Sequence, residues 1–278
     1  MRETAPMDNV LVALGASLLT VVAAMTVTAV RIKQLDKAAV VDVTWGAGFV
    51  LVALVSAVVA TLSDEGDAWH AWLLVALVAA WGGRLAWHVR GRATGDHGGK
   101  EDPRYAEMLG GSVSEVGITT VVRRVLLVQG VAQWFIAIPV AVGAFFTVGD
   151  WWPAVVVGVV VWAVGLFFET VGDRQLAAYK ATPKEQRPQV METGLWAWTR
   201  HPNYFGDATV WWGLWLVGGL GSGWVVGLAT VLSPIAMTIF IRNVTGAKLL
   251  EKTMMQRPGF PEYAERVPLF FPRPPRRG

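Results

Sequence analysis

Glu169 and Asp173 stand four residues apart in FFETVGDRQ, and Asn203 and Asp207 repeat that spacing in TRHPNYFGD. Residues four apart share one face of a helix, and two carboxylates so placed repel unless a cation, a hydroxyl or an amide comes between them. Arg200 and His201 directly precede Pro202, a residue suited to a first helical turn. A helix start presents unpaired amide N–H groups, and an arginine beside them makes an anion site. Asn203 and Asp207 add an amide and a carboxylate for sugar hydroxyls, and Gly206 lets a backbone or a ligand approach closely. This set asks for a phosphorylated, polyhydroxyl ligand, and a nucleotide fits it. Further ionisable groups interrupt apolar runs: Asp42 in VVDVTWGAG, Arg84 and His88 in AAWGGRLAWHVR, and Arg242 with Asn243 at the close of the last apolar run. Simpler roles stand beside these. A loop arginine can meet either acidic residue of the 169/173 pair, Asp42 can cap a helix, Arg84 can snorkel to an interface, and His70 can mark an outer boundary. His88 has no second histidine or carboxylate at ligand spacing, and the chain has no cysteine, so no metal site is expected.

The elements that hold these residues are apolar. The chain of 278 residues is 54% hydrophobic and only 16% charged, against about 25% charged in soluble domains. Fifteen tryptophans beside four tyrosines suit a lipid–water boundary. Stretches near 10–30, 43–62, 68–89, 125–148, 154–171, 204–220 and 224–241 approach the ~20 residues a spanning helix needs. The last two are separated by the glycine-rich turn GLGSG, residues 219–223. Of 24 Lys and Arg residues, 22 fall in alternate connections and in the tail from 242. The positive-inside rule then predicts an all-α integral membrane protein of seven helices, with the N-terminus outside and the C-terminus cytoplasmic. That placement explains the basic pI of about 9.3 without a nucleic-acid partner. The expected organisation is a single membrane domain over 1–278 in the inner membrane of the cell, with 242–278 a cytoplasmic tail packing at the nucleotide site and its last residues disordered. A charge inside a span costs roughly 2.5–3.5 kcal/mol near its centre, so the ionisable groups above are expected to be functional.

GLWAWTRHPNYFGD, with LLEKTMMQRPGFPEYAERVPLFFP downstream, resembles the bacterial membrane proteins related to steroid 5-alpha reductases, most strongly over about 165–272. The resemblance implies seven membrane helices, an inner NADPH site, and reduction of a carbon–carbon double bond conjugated to a carbonyl in a lipophilic substrate of steroid, sterol or prenyl type. Asn203, Tyr204, Gly206 and Asp207 match one cofactor-binding run of that family, Glu169 and Asp173 match an acidic pair, and Arg242 matches an arginine after the last helix. The family uses a glutamate on its second helix and a tyrosine on its third to polarise the substrate carbonyl. Asp42 is the nearest match to the glutamate. Trp81 and its neighbours stand where the tyrosine is expected, so Tyr105, in KEDPRY, is the substitute. The chemistry needs a donor kept protonated in a dry pocket. No glycine-rich dinucleotide fingerprint is present, so phosphates must be met by helix ends and by Arg90, Arg92, Lys100 or Arg104. A second resemblance is to the isoprenylcysteine carboxyl methyltransferases, which share the Arg-His-Pro-x-Tyr-x-Gly run, bind SAM, and place paired glutamates after the last helix. Only Glu251 stands at that place here.

Overall fold

The computed structural model describes residues 7–94, 101–244 and 246–275. Among them every regular element is a helix. In chain order these are α1 (Met7–Leu35), α2 (Val40–Leu62), α3 (Ala68–Thr94) and the short α4 (Pro103–Leu109), α5 (Val113–Val116) and α6 (Ile118–Val121). A π-helical stretch, Val122–Leu126, joins α6 to α7 (Leu127–Gly143). There follow α8 (Trp152–Ala181), α9 (Pro202–Gly218), α10 (Trp224–Thr230) and α11 (Leu232–Ile239). A second π-helical stretch, Phe240–Val244, leads to α12 (Ala247–Met254) and α13 (Phe260–Arg266).

Six helical segments of the described residues are long and apolar enough to cross a membrane: Asp8–Leu35, Val40–Leu62, Ala68–Arg90, Ile118–Gly143, Gly149–Ala181 and Trp224–Met254. The protein is a multi-pass membrane protein. The stretch expected as a further span, 204–220, folds as α9 with 17 residues. At 1.5 Å per residue that is about 25 Å, short of a hydrocarbon core of ~30 Å. The expected 154–171 helix runs on to Ala181, which places Glu169 and Asp173 well inside α8 rather than at its end. The expected 224–241 helix is interrupted at Val231. Pro234 explains this, since it has no N–H to offer the carbonyl of Thr230. The end of the tail, 276–278, expected to be disordered, lies outside the described residues.

The chain divides into two compact units: Met1–Val155 with Val217–Ser233, and Val156–Leu216 with Pro234–Gly278. In the first, α2 and α3 meet through glycine. A Cβ added to Gly46 would stand 2.5 Å from the Gly82 carbonyl oxygen, so the two backbones touch. Small residues permit such an approach where lipid gives no hydrophobic drive between helices. Trp69 and Trp72 at the start of α3, Trp152 at the start of α8 and Trp224 at the start of α10 are exposed, as an interfacial aromatic belt requires. His70, expected at a boundary, is instead fully buried, with Nε2 3.0 Å from the Val217 carbonyl oxygen.

In the second unit Gly158, Gly165 and Gly172 recur every seven residues along α8 and form one stripe. Gly213, Gly206 and Pro202 of α9 lie against it. A Cβ on Gly213 would stand 2.5 Å from Trp162 N, one on Gly165 2.5 Å from Val210 N, and one on Gly172 3.1 Å from Pro202 Cγ. This seam sets the register that faces Glu169 and Asp173 toward the start of α9.

Candidate functional site

In the first unit the polar groups gather on Asp42, in the first turn of α2. The helix is not capped by Asp42. Its N-cap, Ala39, has no side-chain cap, and the amides of Ala38 and Ala39 donate instead to the Glu101 carboxylate. Asp42 is left for other work. Its Oδ1 accepts from the Tyr105 hydroxyl at 2.6 Å, and its Oδ2 from Arg104 Nη2 at 2.7 Å. Arg104 also donates to both oxygens of Asp102, at 3.0 and 2.9 Å. Gln129, on α7, donates its Nε2 to the Tyr105 oxygen at 3.1 Å. Because Gln129 supplies a donor there, the Tyr105 proton is the one directed at Asp42.

The two residues read as an acid pair are therefore joined, with their roles assigned. Asp42 accepts on both oxygens, and the proton of the pair resides on Tyr105. Burial first, and then the adjacent Asp42 carboxylate, push the Tyr105 hydroxyl above the ordinary tyrosine range. Burial works against the charge of Arg104, but its hydrogen bonds to Asp102 and the Asp42 carboxylate outweigh that and raise it. The result is a buried phenol that stays protonated and is held in one orientation. Trp81 is fully buried against Phe49, with ring centroids 5.7 Å apart, and serves as packing. Arg104, one of four residues considered for phosphates, is committed to carboxylates, and Arg90 stacks on Trp87 at 3.4 Å. Lys100 and the side chain of Arg92 lie outside the described residues.

In the second unit TRHPNYFGD is the hub. Arg200 grips Glu251 of α12 through Nε at 2.7 Å and Nη2 at 2.9 Å. Its Nη1 donates to the carbonyl oxygens of Ala264 and Val267, at 2.7 and 2.6 Å. His201 Nε2 lies 3.0 Å from the same Glu251 carboxylate, and its ring stacks on Tyr204 with centroids 5.5 Å apart and planes 7° apart. The neighbouring chain is fastened as firmly. Tyr263 donates to the Trp196 carbonyl oxygen at 2.6 Å, Trp196 Nε1 to the Gly172 carbonyl oxygen at 3.1 Å, and Thr199 Oγ1 to the Phe270 carbonyl oxygen at 2.9 Å. Arg200 thus commits its charge, and Arg200 and His201 their polar contacts, inside the protein, and they lock the C-terminal arm to the 196–201 loop.

The remaining residues read as nucleotide-binding surround the start of α9. Asn203 Nδ2 donates to Asp173 Oδ1 at 3.1 Å, so the carboxylate has the amide its spacing called for. Glu169 is buried at 3% exposure, and a Cβ on Gly206 would meet its backbone and the Gly165 carbonyl oxygen. Gly206 therefore admits the backbone of α8. Asp207 is half-buried one turn further on. Arg242 lies in the second π-helical stretch, and its Nε is buried with no acceptor among the described residues. A buried N–H so placed calls for an acceptor, from water or a bound ligand.

Over residues 16–267 the sequence matches the family described as "Protein of unknown function (DUF1295)". The chain belongs to the DUF1295 family. That family is related to the steroid 5-alpha reductases. No curated protein matches the chain, and no solved structure does. Within this DUF1295 member, reading the sequence missed four contacts: Glu101, Arg104 as a carboxylate partner, Gln129, and Glu251 as the hub of Arg200 and His201. One signal was available. Gln129 and Gln133 stand four apart in the apolar run LLVQGVAQW, where an amide is costly unless it has a partner.

Proposed function

We propose that this protein is a membrane-embedded, NADPH-dependent reductase of a carbon–carbon double bond conjugated to a carbonyl in a lipophilic substrate. The observation that carries the reading is the Tyr105–Asp42 hydrogen bond at 2.6 Å, buried and braced by Gln129 and Arg104. Reduction of an enone needs a proton donor at the carbonyl oxygen as hydride reaches the β-carbon, and methyl transfer does not. In the proposal the substrate oxygen replaces Asp42 Oδ1 as the acceptor of the single Tyr105 hydroxyl proton as enolate forms, while Gln129, donating to the phenol oxygen, keeps the hydroxyl in place. The bound cofactor would supply hydride. Asp173 and Asn203 would hold its hydroxyls, with Glu169 and Asp207 beside them, and Arg242 its phosphate. The Nε of Arg242, buried with no acceptor among the described residues, supports that assignment. The balance is one hydride to the β-carbon and one proton from water to the α-carbon.

We further assign α9 as a seventh, short span, with the N-terminus outside and the tail cytoplasmic, on the alternation of basic connections. The inner membrane is the proposed location. A second reading keeps one observation in its favour. Glu251 binds both Arg200 and His201, tying together the features shared with the isoprenylcysteine carboxyl methyltransferases. The test is binding and turnover by the purified protein. NADPH fluorescence is expected to change on binding, and to stop changing in the Asn203→Ala/Arg242→Ala variant. Tyr105→Phe is expected to lower turnover of a 3-oxo-4-ene steroid by about 10²-fold or more with NADPH affinity kept. Binding of SAM without NADPH, or undiminished turnover by Tyr105→Phe, would sink the reductase reading.

A further inference from the structure

The last apolar helix ends in a break followed by a helix of a different kind. Val244 is exposed, and Gly246 has φ −112° and ψ −117°, outside the helical region. A Cβ at Gly246 would collide with the Ile241 carbonyl oxygen, so the chain can turn there only with glycine. The eight residues of α12, AKLLEKTM, then present three distinct faces at about 3.6 residues per turn. Ala247, Glu251 and Met254 face the protein: Ala247 is buried, Glu251 holds Arg200 and His201, and Met254 packs with Phe260 and Tyr263. Leu249 and Leu250 form an exposed apolar side, at 40% and 36% exposure. Lys248 and Lys252, one turn apart, form an exposed basic side, and Arg257 follows.

We infer that α12 is an interfacial helix that seats Leu249 and Leu250 at the acyl boundary and binds anionic phospholipid headgroups through Lys248 and Lys252. Three features of the molecule select a bilayer surface as the occupant. The helix forms the C-terminal end of the segment Trp224–Met254, which is long and apolar enough to cross a membrane. Its exposed apolar and basic sides adjoin, as the acyl and phosphate layers of a leaflet do. The charge is complementary to anionic lipid. The inner face of the same helix carries Glu251, so lipid composition would reach the Arg200–His201 clamp through one short element.

The chain has no cysteine, so a single Leu249→Cys substitution can carry a nitroxide in the full protein. In nanodiscs of phosphatidylcholine mixed with phosphatidylglycerol, the label is expected to be open to oxygen and shielded from a water-soluble nickel chelate. Phosphatidylglycerol retained through purification, read by native mass spectrometry, is expected to fall about fivefold per lysine in Lys248→Gln and Lys252→Gln, the equivalent of roughly 1 kcal/mol each. Thermal melting of both variants reports whether they fold, and Lys252→Arg is expected to restore retention. The inference is overturned by a nickel-exposed label in these nanodiscs, by lipid retention indifferent to the lysines, or by shielding that appears only as protein concentration rises and so marks a second copy. None of these readouts depends on reductase activity.

Discussion

Tyr105 and Glu251 are each the centre of a network whose geometry makes a claim about energy. Burial raises the hydroxyls of Tyr105 and Tyr263 above the ordinary range. An alkaline titration followed by ultraviolet absorbance should therefore leave Tyr105 and Tyr263 protonated above pH ~10, where a solvated phenol ionises. Because the folded state holds those protons more tightly than the unfolded chain, the associated stability is complete below that pH and is lost as pH rises toward the folded values. Ionisation of Tyr105 and Tyr263 at that pH in the native protein would contradict the burial. At Glu251, removal of the carboxylate strands Arg200, only 11% exposed, and His201, only 4% exposed. Glu251→Ala should then cost about 3 kcal/mol, as for other broken buried pairs, read as a shift in the denaturant midpoint in detergent. A cost below ~1 kcal/mol would mean that water replaces the carboxylate freely. None of this pairing is visible in the chain as a string, since Arg200 and Glu251 are 51 residues apart.

Among the elements, the α8–α9 seam depends on the absence of side chains. A methyl at Gly206 would sit 2.5 Å from the Gly165 carbonyl oxygen and against the backbone of Glu169. Overpacking of this kind costs about 1–3 kcal/mol and outweighs the ~1 kcal/mol of helix propensity that alanine gains over glycine. Gly206→Ala should lower the melting temperature, whereas Gly15→Ala in α1 and Gly83→Ala in α3, where nothing stands within 4 Å, should raise it. Equal responses at the three sites would remove the argument for a tight seam. The glycine spacing along α8 was legible in advance. Which helix it would meet was not, because a stripe of small residues declares a close neighbour without identifying it.

For the whole molecule, the question is how the apolar segments thread the bilayer. Reporter fusions should place residues 63–67 outside and 182–193 in the cytoplasm, and a fusion after Gly223 should report the outer side if α9 crosses. A cytoplasmic report after Gly223 would leave α9 as a helix that enters the membrane without spanning it. The sequence predicts that this segment crosses, from the alternation of basic connections, and the folded chain returns it as a helix of only 17 residues, which is why the fusion is needed.

Composition, apolar run length and the distribution of Lys and Arg were enough to determine a helical, multi-pass membrane protein, because the bilayer imposes one length and one polarity on every segment that crosses it. They also marked several polar residues that the fold pairs, since each carries a solvation cost inside apolar runs. Tertiary structure alone decided which of those residues meet. It gave the proton of the Asp42–Tyr105 pair to Tyr105, turned Arg200 and His201 inward to Glu251, and set Gly206 on the backbone of α8. The physical reason is that a hydrogen bond depends on ångström-scale distance and donor direction, and those are fixed only when helices pack.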